Sequence, residues 1–207
     1  MGATVSSMSG TAVNNSITNT ARTKLVAVTA ADEPLLQVLS EALPAILTPE
    51  VCLHLPPNFS DIGSAAKARA LLDEMLSQSQ VTAIFVNLDD KQDANPLAGL
   101  IFMHIDAQES ASGASEAHLG YLLAERFWGG GIASECLSAF VAEVTKSAPV
   151  NTLVAGVEVG NLASIRLLEK LGFRLQASDS QKNSDSQQSR DSQQATLHYA
   201  LDLRCHG

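Results

Sequence analysis

The apolar positions fall into short blocks whose period switches between two and about 3.6. Residues 1 to about 22 carry Ser, Thr, Asn and Gly with no periodicity and predict a flexible leader. Lys24 to Val28 predicts a strand. Thr29 or Asp32 can cap the helix that follows, with Pro34 in its first turn and Leu35, Leu36, Val38, Leu39 and Leu43 supplying apolar surface. Pro44, Pro49, Pro56 and Pro57 break the next stretch into short pieces, before a second helix from about Ser64 to Ser77. Val81 to Asn87 and Leu97 to Ile105 predict two strands joined by the polar turn from Leu88 to Pro96. Asp89, Asp90 and Asp93 in that turn lack the glycine and terminal Glu of a calcium loop. A Ser-rich connection from Ala107 to Ser115 leads to a further strand, His118 to Ala124.

After that strand come Gly129, Gly130 and Gly131, and then Ala133, Leu137, Phe140, Val141 and Val144 at helical spacing. Asn151 to Val159 predicts the next strand, so strand, helix and strand form a right-handed crossover with the two strands parallel. Asn161 caps a last helix that Gly172 ends in a left-handed conformation. Phe173 to Gln176 and Thr196 to Leu203 predict a final strand pair. Between them, Ala177 to Ala195 is almost wholly polar and predicts a mobile loop. The expectation is an α/β chain with one domain over residues 23–207.

Length and composition fit that picture, since 207 residues at 45% hydrophobic content make one substantial core. A net charge of −9 with a pI near 4.9 argues against nucleic acid or an anionic membrane as partner and is compatible with a cationic acceptor. Cys52, Cys136 and Cys205 form no Cys-x-x-Cys pair, which points to a reduced, cytoplasmic setting. Cys52-x-His54 and Cys205-His206 lack the further clustered ligands of a metal site, so no metal is expected. The opening Met1-Gly2 with Ser6 matches a myristoylation pattern, read here as a chance match.

The candidate chemistry lies at the glycine triplet. Glycines remove the Cβ obstacle and can take positive φ, so consecutive N–H groups can turn toward an anion at the positive end of the following helix. The natural guest is a phosphate or pyrophosphate. Gly-x-Gly-x-x-Gly of a dinucleotide site is not met, because Ser134 stands at the third position counted from Gly129.

Arg126-Phe-Trp-Gly129-Gly-Gly131, followed by Asn161-Leu-Ala-Ser164 and by Lys170-Leu-Gly172-Phe173, resembles the GNAT family of N-acetyltransferases, in its ribosomal-protein (RimJ/RimL-type) branch. The resemblance implies the GNAT fold: a central mixed, mostly antiparallel sheet of about seven strands, splayed between strands 4 and 5 and flanked by helices. It also implies acetyl-CoA as co-substrate. Leu122, Leu123, Arg126, Phe127, Trp128, Gly129, Gly130, Gly131, Ile132, Ala133, Asn161 and Ser164 would then hold the coenzyme, with a backbone N–H near Leu122 or Leu123 as oxyanion donor.

Side-chain acids and bases are fewer. Relatives carry a Tyr seven positions after the Asn, where this chain has Leu168, and a Glu where it has Gln176. Ser134 matches a Ser proposed as proton donor in that branch, and Glu116, His118 and Glu158 are the candidate bases. So thin an inventory suits an α-amine, with a pKa of about 8, better than a Lys side chain near 10.4, whose deprotonation costs roughly 3 kcal/mol more at neutral pH. The expected acceptor is a peptide or protein N-terminus or a small amine, and the expected protein a monomer or homodimer. The competing reading is a non-catalytic acetyl-CoA-binding module of the same fold.

Overall fold

A single mixed sheet carries the molecule, and the computed structural model describes residues 17–87, 96–105, 115–176 and 196–205 of it. Its strands are β1 (Ile17–Asn19), β2 (Thr23–Val28), β3 (Gln80–Val86), β4 (Leu97–Ile105), β5 (Glu116–Leu123), β6 (Thr152–Glu158), β7 (Arg174–Leu175) and β8 (Thr196–Asp202). They lie in the order β1-β2-β3-β4-β5-β6-β8-β7, and among the described residues only β5 and β6 run parallel. Among the described residues the sheet has eight strands, one more than the sequence pattern predicts. The additional one is β1, which pairs antiparallel with β2 inside the stretch that the sequence pattern assigns to the leader. Three residues carry too little periodicity to announce a strand, and it is the neighbouring edge of β2 that supplies their partners.

The alternation of each strand sends its side chains to two different cores. On one face lie α1 (Glu33–Ile46), the short α2 (Pro49–Cys52) and α3 (Ala65–Gln78). There Leu36, Leu39, Leu43 and Leu72 bury themselves against Val81, Ala83 and Leu100. On the other face, α4 (Ile132–Ser147) and α5 (Leu162–Lys170) place Leu137 and Leu168 against Ile101, Met103 and Leu153. Each such fully buried leucine contributes about 1.5–3 kcal/mol.

The caps follow local sequence. Asp32, Ser64 and Asn161 accept the N–H three residues on, at the starts of α1, α3 and α5. Gly172 takes φ +90° just after α5. Pro44 does not end α1, which continues to Ile46. One forgone hydrogen bond near the end of the helix is outweighed by the buried stripe of Leu36, Leu39, Leu43 and Ile46, which needs that last turn. The polar loop 177–195, the Asp89 to Asp93 turn, most of the 107–115 connection, the Gly2 motif and His206 lie outside the described residues. Among the described residues, no helix is long and apolar enough to cross a membrane.

Candidate active site

Parallel strands β5 and β6 start as neighbours and then part. Their register holds at Glu116↔Thr152, Ala117↔Leu153 and His118↔Val154, and ends there. Beyond it, β5 stays paired to β4 as far as Gly99↔Leu123, and β6 stays paired to β8 as far as Glu158↔Thr196. The result is a wedge-shaped gap in the middle of the sheet.

Register also decides which main-chain groups face the gap. Ala124 N–H bonds Ala98 O at 2.8 Å, so alternate residues of β5, Leu122 and Gly120 among them, exchange hydrogen bonds with β4. The N–H groups of Tyr121 and Leu123 point the other way, into the gap, and Gly156 does so from β6. Of the two oxyanion donors expected from sequence, Leu123 is therefore open, whereas the N–H of Leu122 is committed to Leu100.

At the wide end of the gap stands the glycine loop. Gly129 has φ +70° and Gly131 φ +79°, the left-handed region where a Cβ would be strained. Gly131 is the N-cap of α4. Among the described residues, no main-chain acceptor meets the N–H groups of Gly129, Gly130 and Gly131. They and the first amides of α4 are main-chain donors gathered at the positive end of a 16-residue helix, an arrangement that suits an anion. Trp128, half exposed, anchors the loop by donating its indole N–H to Leu123 O at 2.7 Å.

A cavity of about 810 Å³ runs through the gap and is lined by residues from both faces of the sheet. It takes in Leu122, Leu123, Phe127, Trp128, Gly129, Gly131, Ala133, Asn161 and Ser164 of the expected coenzyme residues, with His118, Ser134 and Glu158 of the expected catalytic ones. Four expected residues fall outside its lining. Glu116 is exposed at the paired base of β5. Arg126 is used by the sheet, donating to Leu97 O at 3.3 Å and lying 4.9 Å over the Phe127 ring. Ile132 turns its side chain into the core, and the Gly130 carbonyl faces away toward Arg22.

On the α4 and α5 side, the Asn161 carboxamide oxygen accepts Ser164 N–H at 3.1 Å, which leaves its NH₂ to donate elsewhere. The Tyr121 hydroxyl is buried without a hydrogen-bond partner, close to Ser164, and burial pushes its pKa above the usual 10. A buried polar atom left unpaired beside a cavity is what a polar ligand would complete. The gap, the open amides and this hydroxyl fit a diphosphate carrying an amide-containing arm.

On the α1 and α3 side, sequence reasoning missed most of what lines the opening. His54 Nδ1–H donates to Glu158 Oε2 at 2.6 Å, tying the segment after α2 to the end of β6. His104 Nδ1–H donates to Gln78 O at 2.5 Å, and His104 is the cross-strand partner of His118. Phe102 lies across Gly120 and stacks on Phe59 with centroids 5.8 Å apart. The one available signal was Gly120 inside a strand, which marks a close approach. His54 entered the sequence reading only beside Cys52, and the two belong to no metal cluster: among the described residues, no group of three or more His, Cys, Asp or Glu could hold an ion.

A gap between parallel strands, bordered by an amide-rich loop and lined from both faces of the sheet, is the architecture of an acyl-coenzyme A-binding fold. The family description "Acetyltransferase (GNAT) domain" matches residues 22–174. Similar structures include the ribosomal L7/L12 alpha-N-protein acetyltransferase RimL in complex with coenzyme A, at TM-score 0.65 and 21% identity over 90% of this chain and 98% of that one. The ribosomal-protein-S5-alanine acetyltransferase from Vibrio fischeri aligns at TM-score 0.68 and 11% identity, over 91% and 97%. RimJ from Mycobacterium smegmatis, in complex with a CoA disulfide, aligns at 0.65 and 16%, over 88% and 82%. No curated protein matches the sequence. The chain belongs to the GNAT acetyltransferase family, and as such is an N-acetyltransferase with acetyl-CoA as its co-substrate.

Proposed function

We propose that the chain acetylates a primary amine, either the α-amine of a peptide or protein N-terminus or a small amine of similar basicity, by direct attack in a ternary complex. The observation that carries this reading is the two-sided gap, with open amides on one face and the His54–Glu158 pair on the other. Acetyl-CoA brings the activated acyl group. The loop amides from Gly129 to Ala133 take its diphosphate, and Asn161 donates to its amide-bearing arm. The N–H groups of Tyr121 and Leu123 are placed to stabilise negative charge on the acyl oxygen, a role that needs no particular side chain.

The acceptor enters from the side of His54, His118 and Phe102. Glu158, held by the His54 N–H, attracts the ammonium form and takes one proton from it; the neutral amine then attacks the thioester carbon, and the C–S bond breaks to release the CoA thiolate. Leu168 is fully buried and offers no proton, so the hydroxyls of Ser134 and Tyr121 are the coenzyme-side donors. Two of the similar structures are named for acetylation of ribosomal proteins, which supports a protein or peptide acceptor. The modest chemistry of the site mainly positions its reactants, which favours an amine already partly neutral at pH 7.

The test is release of free CoA thiol from acetyl-CoA with a panel of free-N-terminus peptides, N-terminally blocked Lys peptides and small amines. Turnover of free N-termini well above the blocked Lys peptides is expected. Comparable turnover of the two removes the α-amine preference, and saturable coenzyme binding without thiol release from any amine leaves a binding module.

A further inference from the structure

The glycine loop is held from behind by a residue outside every motif discussed above. Arg22, in the turn between β1 and β2, donates from Nη1 to the Gly130 carbonyl at 2.9 Å and from Nε to Glu135 Oε2 at 2.7 Å. Its own main-chain N–H reaches Glu135 Oε1 at 2.8 Å, and Thr20 Oγ1 donates to that same oxygen at 2.5 Å. The turn is closed by Thr20 N–H to Thr23 O at 2.8 Å and tied to the sheet by Asn87 N–H to Arg22 O at 2.8 Å. Glu135 belongs to the first turn of α4, so one guanidinium bridges the loop and the helix it precedes.

We propose that Arg22 is a positioning residue for the coenzyme: it aims the loop amides at the diphosphate without contacting it. The inference rests on the coenzyme reading above. In a planar trans peptide the C=O and N–H point in opposite directions. Holding the Gly130 carbonyl toward Arg22 therefore turns the Gly131 N–H to the opposite side, away from Arg22. Three consecutive glycines have little conformational preference of their own, and an unheld loop would have to be ordered by the ligand at the ligand's expense. Arginine suits the task because its rigid fork satisfies a carboxylate and a carbonyl together, and a Lys ammonium is a single point that does not span both. Glu135 offsets the guanidinium charge, so the contribution is orientation of the loop rather than bulk attraction.

The experiment compares wild type, Arg22→Ala and Arg22→Lys for equilibrium binding of CoA, by calorimetry, and of pantetheine, which lacks the diphosphate, by NMR titration. Wild type binding CoA with saturation upholds the coenzyme reading independently of the variants. Arg22→Ala is expected to weaken CoA at least tenfold and to leave pantetheine affinity within twofold, since the arm binds along the gap and not on the loop. Arg22→Lys is expected to behave like Arg22→Ala. Restoration of CoA affinity by Lys would overturn the proposal in favour of plain charge attraction. Equal loss of both ligands would reduce Arg22 to a fold-stabilising residue, and unchanged CoA affinity in Arg22→Ala would remove its role altogether.

Discussion

Gly120→Ala is the sharpest single probe of the proposed acceptor side. Gly120 and Phe102 are directly opposed across β5 and β4. A Cβ on Gly120 would stand 1.9 Å from Phe102 Cε2, 2.4 Å from Cζ and 2.7 Å from Cδ2. These distances are far inside contact, so the Phe102 ring has to leave its place over the glycine. That breaks its stacking on Phe59 and pushes the ring into the cavity from the side of α1 and α3. Forcing an extra methyl into a packed site costs about 1–3 kcal/mol. At about 2–4 °C per kcal/mol for a chain of this size, the melting temperature should fall by about 2–12 °C. The N–H groups that open into the gap are carried by the neighbouring residues Tyr121 and Leu123, so CoA affinity should stay within twofold while the KM for the amine rises. Differential scanning calorimetry, CoA titration and steady-state kinetics read the three quantities. A variant with unchanged melting temperature and unchanged amine KM would show that Phe102 does not rest on Gly120 and that this face does not receive the acceptor.

Two further outcomes follow from the interior. Leu168→Ala should destabilise the protein by about 2–5 kcal/mol in urea unfolding, because the side chain is fully buried between α5 and the sheet. The hydrogen bond from Thr20, followed by those from the Arg22 main chain and guanidinium, holds the Glu135 carboxyl below its usual 4.5. A depressed folded pKa contributes stability that is present above the unfolded value and lost as pH falls through the folded one. Unfolding free energy measured from pH 6 downward should therefore fall more steeply below about pH 4.5 in wild type than in Glu135→Gln. Parallel curves would mean that this carboxylate is not held by its neighbours.

The sequence alone determined what depends on neighbours within a few residues. Asp32, Ser64 and Asn161 as helix caps, Gly172 as a helix end and the helical stripe after Gly131 were legible because the partners of each lie one turn away. The parallel pairing across the crossover from His118 to Val159 was legible too, since a helix-length connection returns the chain in the same direction. Tertiary structure decided the rest, through contacts that no spacing encodes. β1 exists because β2 offers it an edge, and the Pro44 turn persists because the stripe around Leu43 must be covered. Leu122 and Leu123 are adjacent, and only the pairing with β4 shows which N–H opens into the gap. His54 meets Glu158 across 104 residues, and Arg22 meets Gly130 across 108. A side chain's chemistry is written in its own identity, but its partner is chosen by the packing of two cores on one sheet, and that choice is made only when the chain has folded.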